Sequence, residues 1–375
     1  MVLIFYTIIG YPTLQWLLAR IIPSPIDKKF MREPISVIVC AKNEANLVTA
    51  RIKNIFSMNY PPDLIEIIIV SDGSTDGTNE AVLAFKDHRI KIVQLALPSG
   101  KAVALNTGIK AASHEYLLFA DARQSFHPDV AQRLIDHFHD PKIGAVSGRL
   151  IIRPEQEQSS GAALGIGSSY WSYEVWLRNC EATSGSVVGV TGAIYALRKE
   201  CFTPLAAGTI LDDLLIPLRV ANLGFRIAYD AGAIAVDKKS LHNTSELARK
   251  VRTLYGNLQL IRIAPDLFLP WRNRLWFRFF SHKILRLFLP AMLAGCLFAS
   301  FFSGGIMTVF GLVQLACWAG AYVSLKTGNS SMPGKALSGF LLLNLAALLA
   351  WKCFFTGSEN VWKESSSNFV HSHKK

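Results

Sequence analysis

Residues 65–78 read IEIIIVSDGSTDGT: a β-rich, nearly continuous apolar run that passes into an Asp-Gly turn and then a helix start. Three further runs have the same character, ISVIVC (35–40), IKIVQL (90–95) and EYLLFA (115–120). Between them lie helix-like stretches beginning near Glu44, Asp76, Lys101 and Pro128, with Asp76 expected to cap the helix that follows it. Strands that are apolar throughout and alternate with helices predict a parallel sheet covered on both faces. Such sheets bind ligands beyond the carboxyl ends of their strands. The polar residues gather at that edge: Asn43 and Glu44 after the first strand, Asp72 after the second, Asp121 after the fourth. One acid at a strand end is ordinary turn chemistry; three at neighbouring ends suggest a site.

The rest of the chain is unlike a simple soluble enzyme. Of 375 residues, 51% are hydrophobic and 18% charged, and the mean hydropathy is +0.29. Soluble domains carry nearer ~25% charge. Met1 to Ile22 has no charge until Arg20, enough for one bilayer crossing of about 20 residues, and it lacks the basic start and A-x-A site of a cleaved signal. Ile284–Phe302, Gly305–Leu325 and Ala336–Phe355 are similar in length. The expected layout is a transmembrane helix at 1–22, a soluble domain at 30–260, an interfacial segment at 265–283, three transmembrane helices within 284–355, and a tail at 356–375. PWRNRLWFRFFSHKILRLF interleaves cations with aromatics, as a helix in the headgroup layer would; it also reads as a basic flank of the next span. Lys28, Lys29 and Arg32 follow the first span, and Arg272, Arg274 and Arg278 precede the second. The positive-inside rule therefore puts the middle domain in the cytoplasm of a cell-membrane (inner-membrane) protein, although Lys363, Lys374 and Lys375 in the tail run against it.

The net charge of +12 raises the question of nucleic acid, but the basic residues collect beside the spans, which points to membrane lipids and no nucleic acid. The six cysteines form no C-x-x-C pair, so neither a disulfide scaffold nor a structural zinc site is expected. There is no G-x-G-x-x-G after the first strand, and PSGKAVALNTG (98–108) lacks P-loop spacing. It does set Lys101 at a helix start, which favours anions. LDDLLIPLRVANLGFRIAYD (211–230) opens a helix on Asp212 and Asp213. Neighbouring helical side chains diverge by about 100°, so one carboxylate can face a cleft while the other caps; two like charges can also raise one pKa, as a general base needs.

In order along the chain, VIVCAKNEA, IIIVSDGSTDGT, SGKAVALNTGI, FADAR, VTGAIYALRKE, ILDDLLIPLRVANLGFRIAY and ARKVRTLYGN resemble the membrane-bound family 2 inverting glycosyltransferases of the polysaccharide-synthase type. The resemblance covers roughly residues 30–290 and the flanking spans. It implies an α/β GT-A fold with a Rossmann-like, mostly parallel sheet, one N-terminal span and about three C-terminal ones. It implies a nucleotide-sugar donor, commonly UDP-linked, and a divalent metal, Mg2+ or Mn2+. The acceptor would be lipid-linked or a growing glycan at the cytoplasmic membrane face, in exopolysaccharide or cell-surface glycan synthesis, with synthase partner subunits in some members. Carried over by position, Asn43, Glu44 and Asp72 would line the nucleotide pocket and Lys101 would sit near the diphosphate. Asp121 would be the metal ligand of Asp-x-Asp, and Gly192 would border the acceptor. Asp213 would be the catalytic base, with Asp212 in place of the Glu of Glu-Asp. Arg249 and Arg252 lie where processive members carry Gln-x-x-Arg-Trp.

Three departures stand out. Ser71 replaces the first acid of Asp-Asp-Gly. Arg123 replaces the second acid of Asp-x-Asp, leaving one carboxylate for a metal or an Arg fork for the diphosphate itself. Thr253 replaces the Trp on which an acceptor sugar would stack, which leaves processive synthesis and single-sugar transfer both open. A catalytically silent nucleotide-binding membrane regulator is the alternative that Arg123 and Thr253 favour; a transporter lacks support from any internal repeat.

Overall fold

The computed structural model describes residues 1–153, 162–238, 243–327 and 331–357. Eight strands form one sheet: β1 (Ile35–Ala41), β2 (Ile65–Asp72), β3 (Ile90–Leu95), β4 (Tyr116–Asp121), β5 (Ser125–Phe126), β6 (Ile143–Arg153), β7 (Ile194–Arg198) and β8 (Arg226–Lys238). Their order is β3-β2-β1-β4-β7-β6-β8-β5. The first four are parallel, as the apolar runs predict. Beyond β4 the sheet is mixed: β7 is antiparallel to both β4 and β6, β6 and β8 are parallel, and β5 is antiparallel to β8.

Alternation along the parallel strands divides the core in two. Ile35, Val37, Val39, Ile67, Ile69 and Leu118 point to one face, and Ile38, Ile68, Val70 and Phe119 to the other. The second face is covered by the helices Lys101–Ala111 and Asp212–Asn222, through Ala104, Leu105, Leu214 and Leu215. Each such buried aliphatic side chain contributes about 1.5–3 kcal/mol. Gly108 lets the first helix lie close, since a Cβ there would meet Ile38 and Val70 at 2.9 Å. Both covering helices begin at the carboxyl edge of the sheet, so Lys101 and the Asp212–Asp213 pair arrive there together.

Among the described residues, four helices are long and apolar enough to cross a membrane: Val2–Ile21, Trp276–Ser303, Ile306–Thr327 and Ala336–Thr356. The second starts earlier than the sequence suggests. From Trp276 the chain is continuously helical through a π turn at Phe280–Ile284, so the latter part of the 265–283 segment belongs to this helix. Phe279 and His282 are fully buried against the protein.

The helix Ala162–Thr183 joins the sheet to the membrane helices, packing on the N-terminal helix and on Met332–Thr356. Its seam is polar. The Arg278 guanidinium donates to the carbonyls of Glu181 (2.5 Å), Ser184 (2.9 Å) and Ser186 (2.6 Å) and to Ser184 Oγ (2.9 Å), which satisfies the open C-terminal end of that helix. His282 sits between Glu174 (3.1 Å) and Glu181 (2.8 Å), and the Tyr11 hydroxyl donates to Glu181 at 2.5 Å. Arg278→Ala should lose four hydrogen bonds at once. At about 1 kcal/mol each that is ~4 kcal/mol, expected as a clear drop in the melting midpoint of the detergent-solubilised protein.

Candidate active site

The site is built on two loops that close over the ends of β1 and β2. Asn43 stands at φ +55°, and its Oδ1 accepts the Thr75 N–H at 2.9 Å, while its own N–H donates to Ser74 Oγ at 3.1 Å. Asp76 stands one residue before Gly77, the N-cap of the helix Thr78–Leu83, and its carboxylate accepts that helix's first N–H, from Thr78 (3.1 Å). Its other oxygen accepts the Ala45 N–H (3.0 Å) at the start of the helix Ala45–Phe56, which zips the two loops together. Glu44 lies between them; burial raises its carboxyl pKa, with Arg123 opposing and Asp76 and Asp121 adding to the rise.

Asp72 is buried, and its two oxygens accept the N–H groups of Ser99 (2.6 Å) and Gly100 (2.9 Å). The bond fixes the turn from which the helix Lys101–Ala111 starts. Gly73 is obligatory beside it: at φ +61° a Cβ would lie 2.5 Å from Pro98 N. Lys101 is thereby aimed across the sheet edge, where its ammonium lies 3.5 Å from Asp121 and 3.4 Å from Asp212. Burial works against that charge, but Asp212 and Asp121 outweigh it and hold the Lys101 pKa above its usual value.

Asp213 is the neighbour of this cluster. Burial and then the Asp212 charge push its carboxyl up to about 6, with Lys101, Arg178 and Lys283 pulling the other way. Its carboxylate faces Gly192, where a Cβ would lie 3.3 Å from Asp213 Cβ and 3.4 Å from Oδ2. The floor is the stacked pair Phe119 and Tyr195, 4.2 Å between centroids, on the paired strands β4 and β7. Lys101, Asp121, Asp212, Asp213 and Gly192 therefore share one cleft edge, with Asn43, Glu44 and Asp72 on the loops beside it.

Arg123 is tied to the far strand of the sheet. Its guanidinium grips Asp237 of β8 through Nε (3.0 Å) and Nη2 (2.7 Å), and Gln124 joins the same carboxylate at 3.1 Å. The fork is engaged through its Nε and Nη2, and 45% of the side chain is exposed. Asp237 carries no local signal of this role, because its partner lies 114 residues away. Arg249 and Arg252 lie on the helix Asn243–Ile263; Arg252 is exposed and makes no ion pair with the acidic cluster among the described residues. Also among the described residues, no three His, Cys, Asp or Glu side chains converge as a metal cage. Asp121, 41% exposed, fits a divalent cation that takes its remaining ligands from donor phosphates and water.

Residues 36–196 match the model of the glycosyl transferase family 2. That stretch is a glycosyl transferase family 2 domain and makes up less than half of the chain. The match ends before Asp212 and Asp213, so the acidic pair lies outside it. The poly-beta-1,6-N-acetyl-D-glucosamine synthase of Staphylococcus epidermidis is 30% identical over 207 residues, 54% of this chain and 49% of that protein. The enzyme of the same name from Staphylococcus aureus strain MSSA476 is 30% identical over 203 residues, 53% and 48% of the two chains. This chain thus spans about half the length of the curated relatives it matches. Among solved structures, the mannosyltransferase PcManGT from Pyrobaculum calidifontis, in complex with GDP-Man and Mn2+, shares the fold at a TM-score of 0.69. It is 22% identical and the likeness covers 94% of this chain and 96% of that one, so the membrane helices are included with the family 2 domain.

An Asp213 that works as a base must be ionised, so kcat/KM should rise with pH through about 6. Asp212→Asn removes the like charge and should move that limb to lower pH; Lys101→Met removes an opposing cation and should move it higher. Gly192→Ala should press on the Asp213 carboxylate and lower kcat by about ten- to a hundredfold, read in steady-state kinetics beside an unchanged melting midpoint.

Proposed function

We propose that the protein is an inverting glycosyltransferase that moves a sugar from a nucleotide-sugar donor to a lipid-linked or growing glycan acceptor at the membrane surface. The observation that carries this reading is the convergence of Lys101, Asp121, Asp212 and Asp213 at the carboxyl edge of a family 2 domain. The donor's base and ribose would lie on the loops of Asn43, Glu44 and Asp72, with its diphosphate toward Lys101 and Asp121. A divalent cation, when bound, would neutralise charge on the diphosphate, with Asp121 as its protein ligand.

The acceptor oxygen approaches the anomeric carbon from the face opposite the diphosphate, and Asp213 takes its proton. A positioned base is worth on the order of 10²–10⁴ in rate. The Lys101 ammonium offsets the negative charge that grows on the leaving diphosphate, and its ion pairs with Asp121 and Asp212 set it in place beforehand. The new C–O bond forms as the bond to the diphosphate breaks, through an oxocarbenium-like state, and the anomeric centre inverts. The relatives' names support a cell-surface polysaccharide as product, and the flanking cations support a cytoplasmic domain on the inner membrane. UDP-N-acetylglucosamine and GDP-mannose are the first donors to try, the second because the solved mannosyltransferase binds it.

The test is release of nucleoside diphosphate from a panel of labelled nucleotide sugars by the solubilised protein, with and without EDTA, beside Asp213→Asn. Turnover with one donor that falls at least a hundredfold in Asp213→Asn is expected, and loss with EDTA would establish the need for a divalent cation. A fully active Asp213→Asn protein would overturn the assignment of the base. Nucleotide binding with no turnover would favour a silent regulator, the reading to which the engaged Arg123 lends weight.

A further inference from the structure

The helix that carries Asp212 and Asp213 starts against its own sequence preference. The Leu211 carbonyl accepts the Leu215 N–H at 3.0 Å, so Leu211 is the N-cap, and its side chain can cap nothing. Asp is among the best N-cap residues and Leu among the poorest. Local preference alone would begin this helix one residue later, with Asp212 as the cap. The Asp212 carboxylate would then be taken up by amides of its own first turn. Asp213 would become the first helical residue, and the turn that presents it to Gly192 would unwind.

Two residues of the helix Asn243–Ile263 hold the earlier start. The Gln259 amide bridges the segment that enters the turn: its Oε1 accepts the Ile210 N–H at 3.0 Å, and its Nε2 donates to the Gly208 carbonyl at 2.9 Å. One turn back on the same helix, buried Gly256 makes room for Leu211. A Cβ there would lie 2.5 Å from Leu211 Cγ and 3.1 Å from Ile210 Cγ2. The far end of the segment is fixed by Asn106, on the helix Lys101–Ala111, which accepts the Leu205 N–H at 2.9 Å and donates to the Leu205 carbonyl at 2.8 Å. From the opposite side the Val190 N–H donates to the Asp213 carbonyl at 2.9 Å. Both ends of the Gln259 amide are thus spent on the backbone that leads into the acidic pair, and Leu211 is seated in the notch that Gly256 leaves.

We infer that Gln259, with the notch at Gly256, is a positioning residue that sets where this helix begins and so keeps Asp212 turned to Lys101 and Asp213 turned to Gly192. The inference rests on Asp213 as the proposed base. It adds a determinant outside the acidic pair, on a helix that also packs on the membrane helix Met332–Thr356.

Steady-state kinetics and nucleotide binding on the full-length solubilised protein test this, with melting curves showing that each variant is folded. Gln259→Ala should lower kcat about tenfold or more while KM for the donor and the Kd for nucleoside diphosphate stay within about twofold. The rise of kcat/KM through about pH 6 should move to lower pH, because burial is the main cause of the raised Asp213 pKa and a loosened turn exposes it. Gln259→Glu keeps the acceptor for Ile210 and loses the donor for Gly208, so its kcat should fall between the two. Added to Asp213→Asn, Gln259→Ala should cost little more, since both act through one carboxylate. Wild-type kcat and an unmoved pH limb in Gln259→Ala, or a loss that multiplies in full with that of Asp213→Asn, would overturn the positioning role alone. A fully active Asp213→Asn single variant would instead overturn the base assignment and this role with it, so the two failures read differently.

Discussion

The Lys101 ammonium is the pin of the carboxyl edge. One cation at 3.5 Å from Asp121 and 3.4 Å from Asp212 lets acids from β4 and from the helix Asp212–Asn222 share a small volume. Without it, their mutual repulsion would have to be relieved by protonation or by movement of the covering helix. The pin is itself held from behind: Asp72 clamps the amides of Ser99 and Gly100 and so sets the first turn that carries Lys101. A carboxylate that the motif pattern assigns to the nucleotide is thus also a structural brace. The two tasks need not compete, since each oxygen retains a lone pair beyond its amide bond.

The second constraint is the junction with the membrane helices. The helix Ala162–Thr183 has too many polar residues to cross a bilayer, and too many buried ones to lie free on a surface. Glu174 and Glu181 are tolerated in the seam because Arg286, His282 and Tyr11 pair with them there, the last two both on Glu181 Oε1. A buried network of this kind costs desolvation and returns geometric definition, which an active site beside a membrane needs.

Much of the fold was legible because its signal is local. The parallel half follows from four apolar runs and the helix starts between them, and the spans follow from length and hydropathy. The mixed half was not legible: β7 and β6 are short or interrupted patterns whose partners are chosen by tertiary pairing. In the site, residues inside motifs were found, and residues recruited from a distance were not. Asp237 matters because β8 passes Arg123, and Arg178 matters because the helix Ala162–Thr183 passes Thr191. No spacing along the chain encodes either meeting. Asp76 shows the same limit on a smaller scale, since an Asp before a helix reads as that helix's cap and here also serves the neighbouring helix.

The Arg278 clamp ties the end of the helix Ala162–Thr183 to the first turn of a bilayer-crossing helix with no flexible linker between them. Five residues from that end, Arg178 holds Thr191, and Thr191 adjoins the glycine that makes room for Asp213. A change in the tilt of the membrane helix is therefore carried as rigid-body motion toward Asp213. Helices tilt to match hydrocarbon thickness. A line of direct contacts thus runs from a span to the Asp213 carboxylate.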